Sequence, residues 1–424
     1  MKRVITALTT ALGLLAAPAL AQDIAIVGGT VHTMGPDGVI ENATVLIEDG
    51  EISAVGRNVR VPSGIERIDA SGKIVTPGLV AALTSLGLVE VGAVASSRDT
   101  SLDAEDSPFH AAFDVSYGVN PDVTAIPVTR IEGVTRALVA PGRGESIFAG
   151  MGAAIHLGEG MDIVTRSRLF MVAFQGEAGS GVAGGARGAA MVMLREALKD
   201  ARRYAETDDP GDFEGRILSA LDAEALGPVI GGEIKLAVVA DRASDLLQLV
   251  RLAREMPELD LVALGASEGW RVAAALADAD IPVLVNPFDN LPSSFESVAA
   301  THANAARLAE AGVTVAIGSG GSPAGQPRLI PQLAGNAVAA GMDPDAALAA
   351  ITINPARAFG IADQVGSLEE GKAGDVVVWS GDPLELSSAP EHVVINGRDI
   401  PLVSRQTKLR DRYMELGGDW PPAY

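Results

Sequence analysis

Short apolar runs alternate with longer segments of helical periodicity through the middle of the chain. Runs this apolar suit strands that are buried on both faces, and repeated strand–helix units predict a parallel sheet. The segment 79–360 has the length of a (β/α)8 TIM-like barrel with insertions. The clearest predicted strand–helix pairs are 234–240 with 244–255, 260–264 with 270–277, 281–285 with 297–311, and 313–317 with 329–340.

The two ends of the chain show a different pattern, of short strands separated by tight turns. Residues 22–78 contain Asp49-Gly50 and residues 361–403 contain Asn396-Gly397, and both dipeptides are typical of hairpin turns. We therefore predict a small composite β-sandwich domain built from both ends. Between the domains, the Gly- and Ala-rich segment 176–190 predicts a mobile loop, and the tail 404–424 predicts a short arm or a disordered segment.

Residues 1–21 have the pattern of an export signal. Lys2 and Arg3 precede an apolar run, and Ala19-Leu20-Ala21 is an A-x-A cleavage site. A membrane anchor is the alternative, but the run contains Pro18 and has the length of a signal peptide's hydrophobic region. We expect cleavage near Gln22, no membrane anchor and a periplasmic location.

Composition and charge exclude several classes of partner and of chemistry. Hydrophobic residues make up 48% of the chain and aromatic residues 4%, so the core is expected to consist mainly of aliphatic side chains. The formal charge of −22 becomes −22 − 2 = −24 once the two basic residues of the signal are removed. Such a chain repels nucleic acid and anionic lipid headgroups, which excludes both as primary partners. The absence of cysteine excludes disulfides and thiolate chemistry.

Five stretches of the chain have the character of known sequence motifs. They are Gly-Lys-Ile-Val-Thr-Pro-Gly-Leu at 72–79, Gly-Val-Thr-Arg at 133–136, Ala-Gly-Val-Thr-Val-Ala at 311–316, Ala-Ile-Thr-Ile-Asn-Pro-Ala at 350–356, and the segment 366–379 around Lys-Ala-Gly-Asp-Val-Val-Val-Trp. These stretches resemble the amidohydrolase family, in particular its imidazolonepropionase-like branch. They occur in the family's order, and the resemblance covers nearly the whole mature chain. It implies a barrel with a β-sandwich made from both chain ends, and hydrolysis of C–N bonds by zinc or another divalent metal.

The same resemblance implies metal ligands at the C-terminal ends of the barrel strands, and these ligands are replaced. The two histidines of the first strand correspond to Leu83 and Ser85, and two later histidines correspond to Val239 and Gly265. The catalytic aspartate corresponds to Gly320, within a stretch without a carboxylate. Because a catalytic zinc needs about three protein ligands, we predict no metal or other cofactor.

Other polar residues near the strand ends are candidates for ligand binding. Glu268 and Trp270 are expected to line a pocket for an amide or amino group, with a salt bridge at a helix start as the alternative for Glu268. Asp241 and Arg242 are further candidates, although they could instead cap the helix that follows. His110 lies in a predicted loop that could overhang the barrel mouth.

Two further histidines have structural interpretations. His156 lies in a predicted strand and is expected to be half-buried with its hydrogen bonds satisfied. His302 and Asn304 are expected to form a pair on a helix surface.

Three hypotheses for the function remain. The favoured one is a catalytically degenerate homologue that binds a small amide or peptide ligand, or forms a homo-oligomer or a hetero-oligomer with an active relative. The second is an active hydrolase of cyclic amides or peptides with an atypical site. The third is a periplasmic binding module.

Overall fold

The computed structural model describes residues 23–102, 107–207, 213–318 and 326–414. The predicted signal 1–21 and the Gly320 position lie outside these residues. Within them the chain forms two eight-stranded sheets. In chain order, the strands are β1 Ile24–His32, β2 Val39–Glu48, β3 Glu51–Gly56, β4 Glu66–Asp69, β5 Ile74–Pro77, β6 Leu79–Thr84, β7 Val134–Val139, β8 Phe148–His156, β9 Val164–Phe174, β10 Lys235–Ala240, β11 Leu261–Gly265, β12 Val283–Val285, β13 Val315–Ile317, β14 Val376–Trp379, β15 Pro390–Ile395 and β16 Arg398–Asp399.

The helices of the described residues lie mainly between and after the strands of the second sheet. They are α1 Ala125–Arg130, α2 Gly176–Val182, α3 Arg187–Ala205, α4 Ala220–Ala225, α5 Gly227–Ile230, α6 Ala243–Glu255, α7 Ala273–Asp278, α8 Asn304–Glu310, α9 Ile330–Ala339, α10 Pro344–Ala349, α11 Ile353–Ala358 and α12 Arg405–Met414. In the part of the chain that the structure describes, no helix has both the length and the apolar character needed to cross a bilayer.

The first sheet combines strands from both chain ends, in the order β16-β15-β14-β5-β1-β2-β3, with β4 pairing β1. Both predicted turns connect adjacent strands: Asp49-Gly50 joins β2 to β3, and Asn396-Gly397 joins β15 to β16. All four of these turn residues have positive φ, as such turns require. The strands form one continuous sheet rather than the two separate sheets of a simple sandwich, and they share one apolar core.

The second sheet is the expected TIM-like barrel, in the order β6 through β13. A bridge between Ala82 and Gly318 brings its first and last strands together. One strand departs from the (β/α)8 pattern, because β8 is antiparallel to both β7 and β9. No helix forms between β7 and β9, so the chain reverses direction twice there instead of crossing over.

Alternating residues of the barrel strands point inward and form one apolar cluster, as the two-residue period of a strand requires. The helix α11 and the residues after it, including Phe359, pack against this cluster. Its members from the strands include Val80, Leu138, Phe170, Val172, Ala237, Val262, Leu264, Leu284 and Ala316.

The two domains meet at a buried ion pair. Arg136 of β7 donates from Nε to Asp375 Oδ2 at 2.5 Å, and its Nη2 donates to Asn396 Oδ1. The amide of Asn396 in turn donates to Asp375 Oδ1 at 2.9 Å. Arg136 and Asp375 are both almost fully buried, so each depends on the other for compensation of its charge.

Three predictions about local structure were wrong. The predicted loop 176–190 forms α2 and the start of α3, because Ala190, Leu194 and Ala197 give α3 a buried face that outweighs the glycines before it. The helix expected over 297–311 begins only at Asn304. Asn304 is buried and not on the surface, since it accepts from the Trp270 amide and donates to the Ala266 carbonyl. The described part of the tail, up to residue 414, contains α12.

Candidate functional site

The described positions that the sequence comparison predicts to correspond to the family's metal ligands lie at or just beyond the C-terminal ends of barrel strands. Leu83 is the penultimate residue of β6, is buried, and has a left-handed backbone with φ 55°. Val239 is the penultimate residue of β10 and is half-buried. Both side chains pack in the apolar cluster inside the barrel. Ser85 follows the end of β6 and lines a separate cavity on one side of the barrel.

Gly265, at the end of β11, lies against the carboxyl group of Asp241. Its φ is +88°, and a β-carbon added there would lie 2.6 Å from Asp241 Oδ1 and 3.2 Å from its Cγ. Asp241 follows Val239 by two residues, and its Oδ1 accepts from the Ser267 hydroxyl at 2.6 Å and the Ser267 amide at 3.2 Å. The Asp241 side chain therefore occupies the space that a side chain at position 265 would need.

Four carboxyl groups and one arginine gather around this point. We call this set, formed by Arg187, Asp241, Asp245, Asp289 and Glu296, the mouth cluster. Arg187, the first residue of α3, donates from Nη1 to Asp245 Oδ2 at 2.6 Å and to Glu296 Oε1. Glu296 Oε1 also accepts from the Glu177 amide at 2.6 Å, which fixes the loop before α8 to the start of α2.

Burial dominates the electrostatics of the mouth cluster. It raises the pKa of Asp241, against the hydrogen bonds from Ser267, and the charges of Glu296 and Asp245 add to the rise. It also raises the pKa of Asp245, although Arg187 opposes this shift. The pKa of Asp289 is raised by burial and then by the charge of Asp241. Burial thus makes the charged forms of Asp241, Asp245 and Asp289 less favourable than they are in water.

Glu268 and Trp270 form part of the scaffold beside the cluster. The buried Glu268 accepts from the Ala243 amide at 3.2 Å and the Ala299 amide at 3.0 Å, with Arg271 3.3 Å from Oε2. Both of its oxygens are thus engaged, and it accepts from a backbone amide at the start of α6 that has no partner within the helix.

Trp270 donates from Nε1 to the Ala299 carbonyl at 2.8 Å and lies under the guanidinium of Arg307, 4.5 Å from the ring centroid. Neither Asp241 nor Arg242 caps α6 through its side chain. Asp241 binds Ser267 instead, and Arg242 occupies the N-cap position without a side-chain hydrogen bond.

The two histidines of interest lie away from the mouth cluster. His110 lines a cavity of about 280 Å³ together with residues of α3 and the segment before α4, and its amide donates to Asp222 Oδ1 at 2.9 Å. His156 has both ring nitrogens engaged, by the Asp162 carbonyl at 3.0 Å and the Gly158 amide at 3.1 Å. Burial and then the charge of Arg136 lower the pKa of His156, which matches its expected structural role.

The residues present do not fit a catalytic metal. Leu83, Val239 and Gly265 have no donor atoms in their side chains, and Asp241 is the carboxylate nearest to them along the strands. In the described ranges no three His, Cys, Asp or Glu side chains are arranged so that they could hold a metal ion. A catalytic zinc with three protein ligands cannot be assembled from these residues.

Four members of the mouth cluster were not identified from the sequence. Arg187 follows glycines in the predicted loop, and Glu296 lies where the sequence predicts the approach to a helix. Asp245 has the appearance of a helix-start residue. Asp289 follows β12 by only four residues, and acidic residues near strand ends are the signal that could have drawn attention to it.

The chain is similar in sequence to amidohydrolases and, among them, to imidazolonepropionases. The model of the amidohydrolase family matches residues 262–400. The imidazolonepropionase of Cereibacter sphaeroides is 29% identical over 385 residues, which covers 82% of this chain and 91% of that protein. Over a shorter stretch of 92 residues, 21% of each chain, the imidazolonepropionase of Symbiobacterium thermophilum is 46% identical.

Solved structures show the same fold. An amidohydrolase from Thermotoga maritima superposes with a TM-score of 0.79 at 26% identity, covering 89% of this chain and 99% of that one. Molinate hydrolase superposes with a TM-score of 0.56 at 22% identity, covering 91% and 96% of the two chains.

Proposed function

This chain belongs to the amidohydrolase superfamily, and from that premise we propose that it is a member that has lost metal-dependent hydrolysis. In this proposal it keeps the barrel and a binding site at its mouth. It binds a small amide or peptide ligand, or acts as the partner subunit of an active relative. We also propose that it is exported to the periplasm, on the basis of the signal-like residues 1–21.

The observation that carries the proposal is the contact between Gly265 and Asp241. Metal-dependent hydrolases use a bound ion to lower the pKa of water, and the ion is held by side chains at the strand ends. At this strand end there is no side chain on residue 265, and the space beside it is filled by a carboxyl group that Ser267 holds. In this proposal, the histidine expected at position 265 is not simply missing, because the Asp241 carboxyl group also occupies the space beside that position.

The first strand supports the same conclusion. Leu83 is buried within the apolar cluster and Val239 packs against it. Hydrophobic side chains at both positions make the upper barrel interior a packed core, where relatives with a catalytic metal need polar ligands. A buried metal with its charge uncompensated would be strongly disfavoured there.

The mouth cluster supports retention of a binding role. It contains four carboxyl groups for one arginine, so its oxygens are well suited to accept hydrogen bonds from the N–H groups of an amide or peptide. It lies at the C-terminal side of the barrel, where ligands of this fold bind.

The decisive experiment measures bound metal and turnover on the same preparation. The purified mature protein is analysed for zinc, manganese, iron and cobalt, and assayed with a panel of cyclic amides and dipeptides with and without added metal. The imidazolonepropionase of Cereibacter sphaeroides serves as the parallel control. We expect far less than one metal ion per chain and no turnover above the uncatalysed rate. About one tightly bound ion per chain, together with turnover, would refute the proposal and favour an active hydrolase with an atypical site.

The partner role needs a separate experiment. The tagged protein is purified from its native host, and co-purifying chains are identified by mass spectrometry. A stoichiometric relative that carries the His-x-His pair would support the partner-subunit form of the proposal. Purification of this chain alone would leave the ligand-binding form, which direct binding measurements test.

A further inference from the structure

A cavity of about 590 Å³ lies beside the end of β6, between α1, the turn Pro327–Leu329 and α12. We call it the arginine cavity, because Arg98 and Arg328 both line it. Its volume is typical of sites for small organic ligands. Ser85, one of the positions that corresponds to a metal ligand, also lines it, so the cavity adjoins the C-terminal end of the barrel.

Arg328 is held in position by neutral groups. Its Nε and Nη2 donate to Gln326 Oε1 at 3.1 and 3.0 Å, and its Nη1 donates to Gln406 Oε1 of α12 at 3.1 Å. Within the described residues no carboxylate forms an ion pair with it. Glu132 is close enough to feel its charge but forms no ion pair with it, and burial raises the pKa of Glu132 against the effect of Arg328. The guanidinium is thus oriented while its charge stays uncompensated.

Arg98 adds a second positive charge. It is exposed, and within the described ranges its guanidinium forms no hydrogen bond or ion pair with another residue. Glu90 is the acidic residue among the described lining residues, and both of its oxygens are already engaged. They accept from the Thr124 amide at 2.8 Å and the Thr124 hydroxyl at 2.5 Å. The cavity therefore presents two available guanidinium groups in a chain whose net charge is −22.

Much of the remaining wall is apolar. Leu86, Val89, Ala125, Val128 and Pro327 contribute hydrocarbon surface, and the buried Thr100 and Thr129 contribute hydroxyl groups. A guanidinium recognises a planar carboxylate through paired N–H donors, and an apolar wall favours a hydrocarbon substituent on the same molecule.

We propose that the arginine cavity binds a small organic carboxylate that carries an apolar group, with Arg328 and Arg98 recognising the carboxylate. The inference goes beyond the proposed function, because this cavity is separate from the mouth cluster, and it rests on the proposed function only for the claim that binding is not followed by hydrolysis. The larger cavity at the domain junction, of about 600 Å³, does not offer the same chemistry. Its buried arginine, Arg136, is already paired with Asp375 and Asn396. Its second arginine, Arg398, shares the lining with the acidic residues Asp49, Glu51 and Glu159, which disfavour a carboxylate ligand.

The test uses the full mature protein and two probes that differ only in charge. N-acetyl-leucine and N-acetyl-leucinamide are titrated by calorimetry at low and moderate salt, with acetate as a third probe. We expect N-acetyl-leucine to bind, and both the neutral amide and acetate to bind at least about tenfold more weakly, because one lacks the charge and the other the apolar group. Equal binding of the acid and the amide, or no binding of the acid at millimolar concentration, would overturn the proposal.

Variants locate the site. Arg328→Gln and Arg98→Gln should each weaken N-acetyl-leucine binding by about ten- to a hundredfold, as expected for loss of a charged hydrogen-bonding partner. Arg254→Gln is the matched control: Arg254 is exposed on α6, outside the cavity, and makes no ion pair among the described residues. Because Arg98 is exposed, its variant should fold even if Arg328→Gln does not. Unchanged affinity in the Arg98 variant, or an equal loss in the Arg254 variant, would contradict the assignment.

The two proposals fail in different ways. Release of leucine from N-acetyl-leucine by the metal-loaded protein would refute the loss of hydrolysis and leave carboxylate recognition standing. Absence of binding combined with absence of metal would refute the arginine cavity alone.

Discussion

Substitution of Gly265 by alanine tests whether Asp241 has closed the position of a family metal ligand. The added β-carbon would lie 2.6 Å from Asp241 Oδ1, well inside van der Waals contact. It also forces a β-carbon onto a backbone with φ +88°. Two penalties therefore act together, one from the backbone and one from the carboxyl group.

The two penalties can be separated by a matched glycine. Gly312 has the same φ of +88° but nothing within 4 Å of its added β-carbon. Its alanine variant should lose about 1–2 kcal/mol from the left-handed backbone alone. Gly265→Ala should lose that amount and about 1–3 kcal/mol more, because Asp241 must leave its hydrogen bonds with Ser267. The entropy that alanine removes from the unfolded chain is the same in both variants and cancels.

Urea unfolding followed by tryptophan fluorescence and circular dichroism measures the difference. We expect the free energy of unfolding of Gly265→Ala to lie about 1–3 kcal/mol below that of Gly312→Ala. Adding Asp241→Ala to Gly265→Ala should remove most of the excess, since the collision disappears. Equal losses in the two glycine variants would show that position 265 has room for a side chain, and the argument for a closed ligand position would fail.

Four further predictions concern the metal and the mouth cluster. Chelation should leave the thermal midpoint of the protein unchanged, and a large drop would reveal a structural metal. The double variant Leu83→His, Ser85→His should show no hydrolysis with added zinc, because two ligands do not fix a catalytic ion; turnover at ordinary enzyme rates would contradict this. Because the pKa of Asp241 is raised in the folded state, the folded protein holds a proton that the unfolded chain has lost, and stability falls as the pH rises through the folded-state pKa. In urea unfolding, Asp241→Asn should therefore gain stability relative to wild type as the pH rises above the ordinary aspartate pKa of about 4, and a difference independent of pH would be evidence against the shift. Arg187→Ala should lower the free energy of unfolding by about 2 kcal/mol, since it leaves two largely buried carboxylates without their cation. The control Arg195→Ala breaks a surface ion pair and should lower it by less than about 1 kcal/mol. Equal losses in the two variants would show that the mouth cluster is effectively solvated.

Much of the fold followed from the periodicity of the sequence. Apolar runs predicted β10, β11, β12 and β13 to within two residues, and the turn dipeptides predicted both hairpins of the small domain. These features are local, since they depend on side-chain alternation and on backbone conformations that glycine and asparagine favour. The antiparallel strand β8 was not predicted, because a strand's direction depends on its neighbours and leaves no signal in its own residues.

The candidate site was less predictable, because its side chains are brought together by contacts between segments that are distant in the sequence. The strand ends were located correctly from local motifs, so Leu83, Val239 and Gly265 could be compared with the family's ligand positions. The mouth cluster joins residues up to 109 positions apart, as in the pair of Arg187 with Glu296. Such pairs arise from the packing of α2 and α3 over the barrel. The sequence did not predict this packing, because the glycines before α3 favoured a loop at 176–190.

The geometry at the barrel mouth also implies that metal-ligating side chains cannot be introduced at the predicted ligand positions one at a time. A side chain at 265 requires the space that Asp241 occupies, and Asp241 is fixed by Ser267, two residues beyond Gly265 on the same turn. Positions 241, 265 and 267 therefore behave as one unit, for which single substitutions should be non-additive. Leu83 belongs to a different unit, the apolar cluster, where a histidine would need hydrogen-bond partners that apolar members of the cluster such as Leu138 and Leu264 do not offer. A single histidine substitution in either unit is thus expected to lose stability without binding a metal, and only coordinated changes in both could build a catalytic centre.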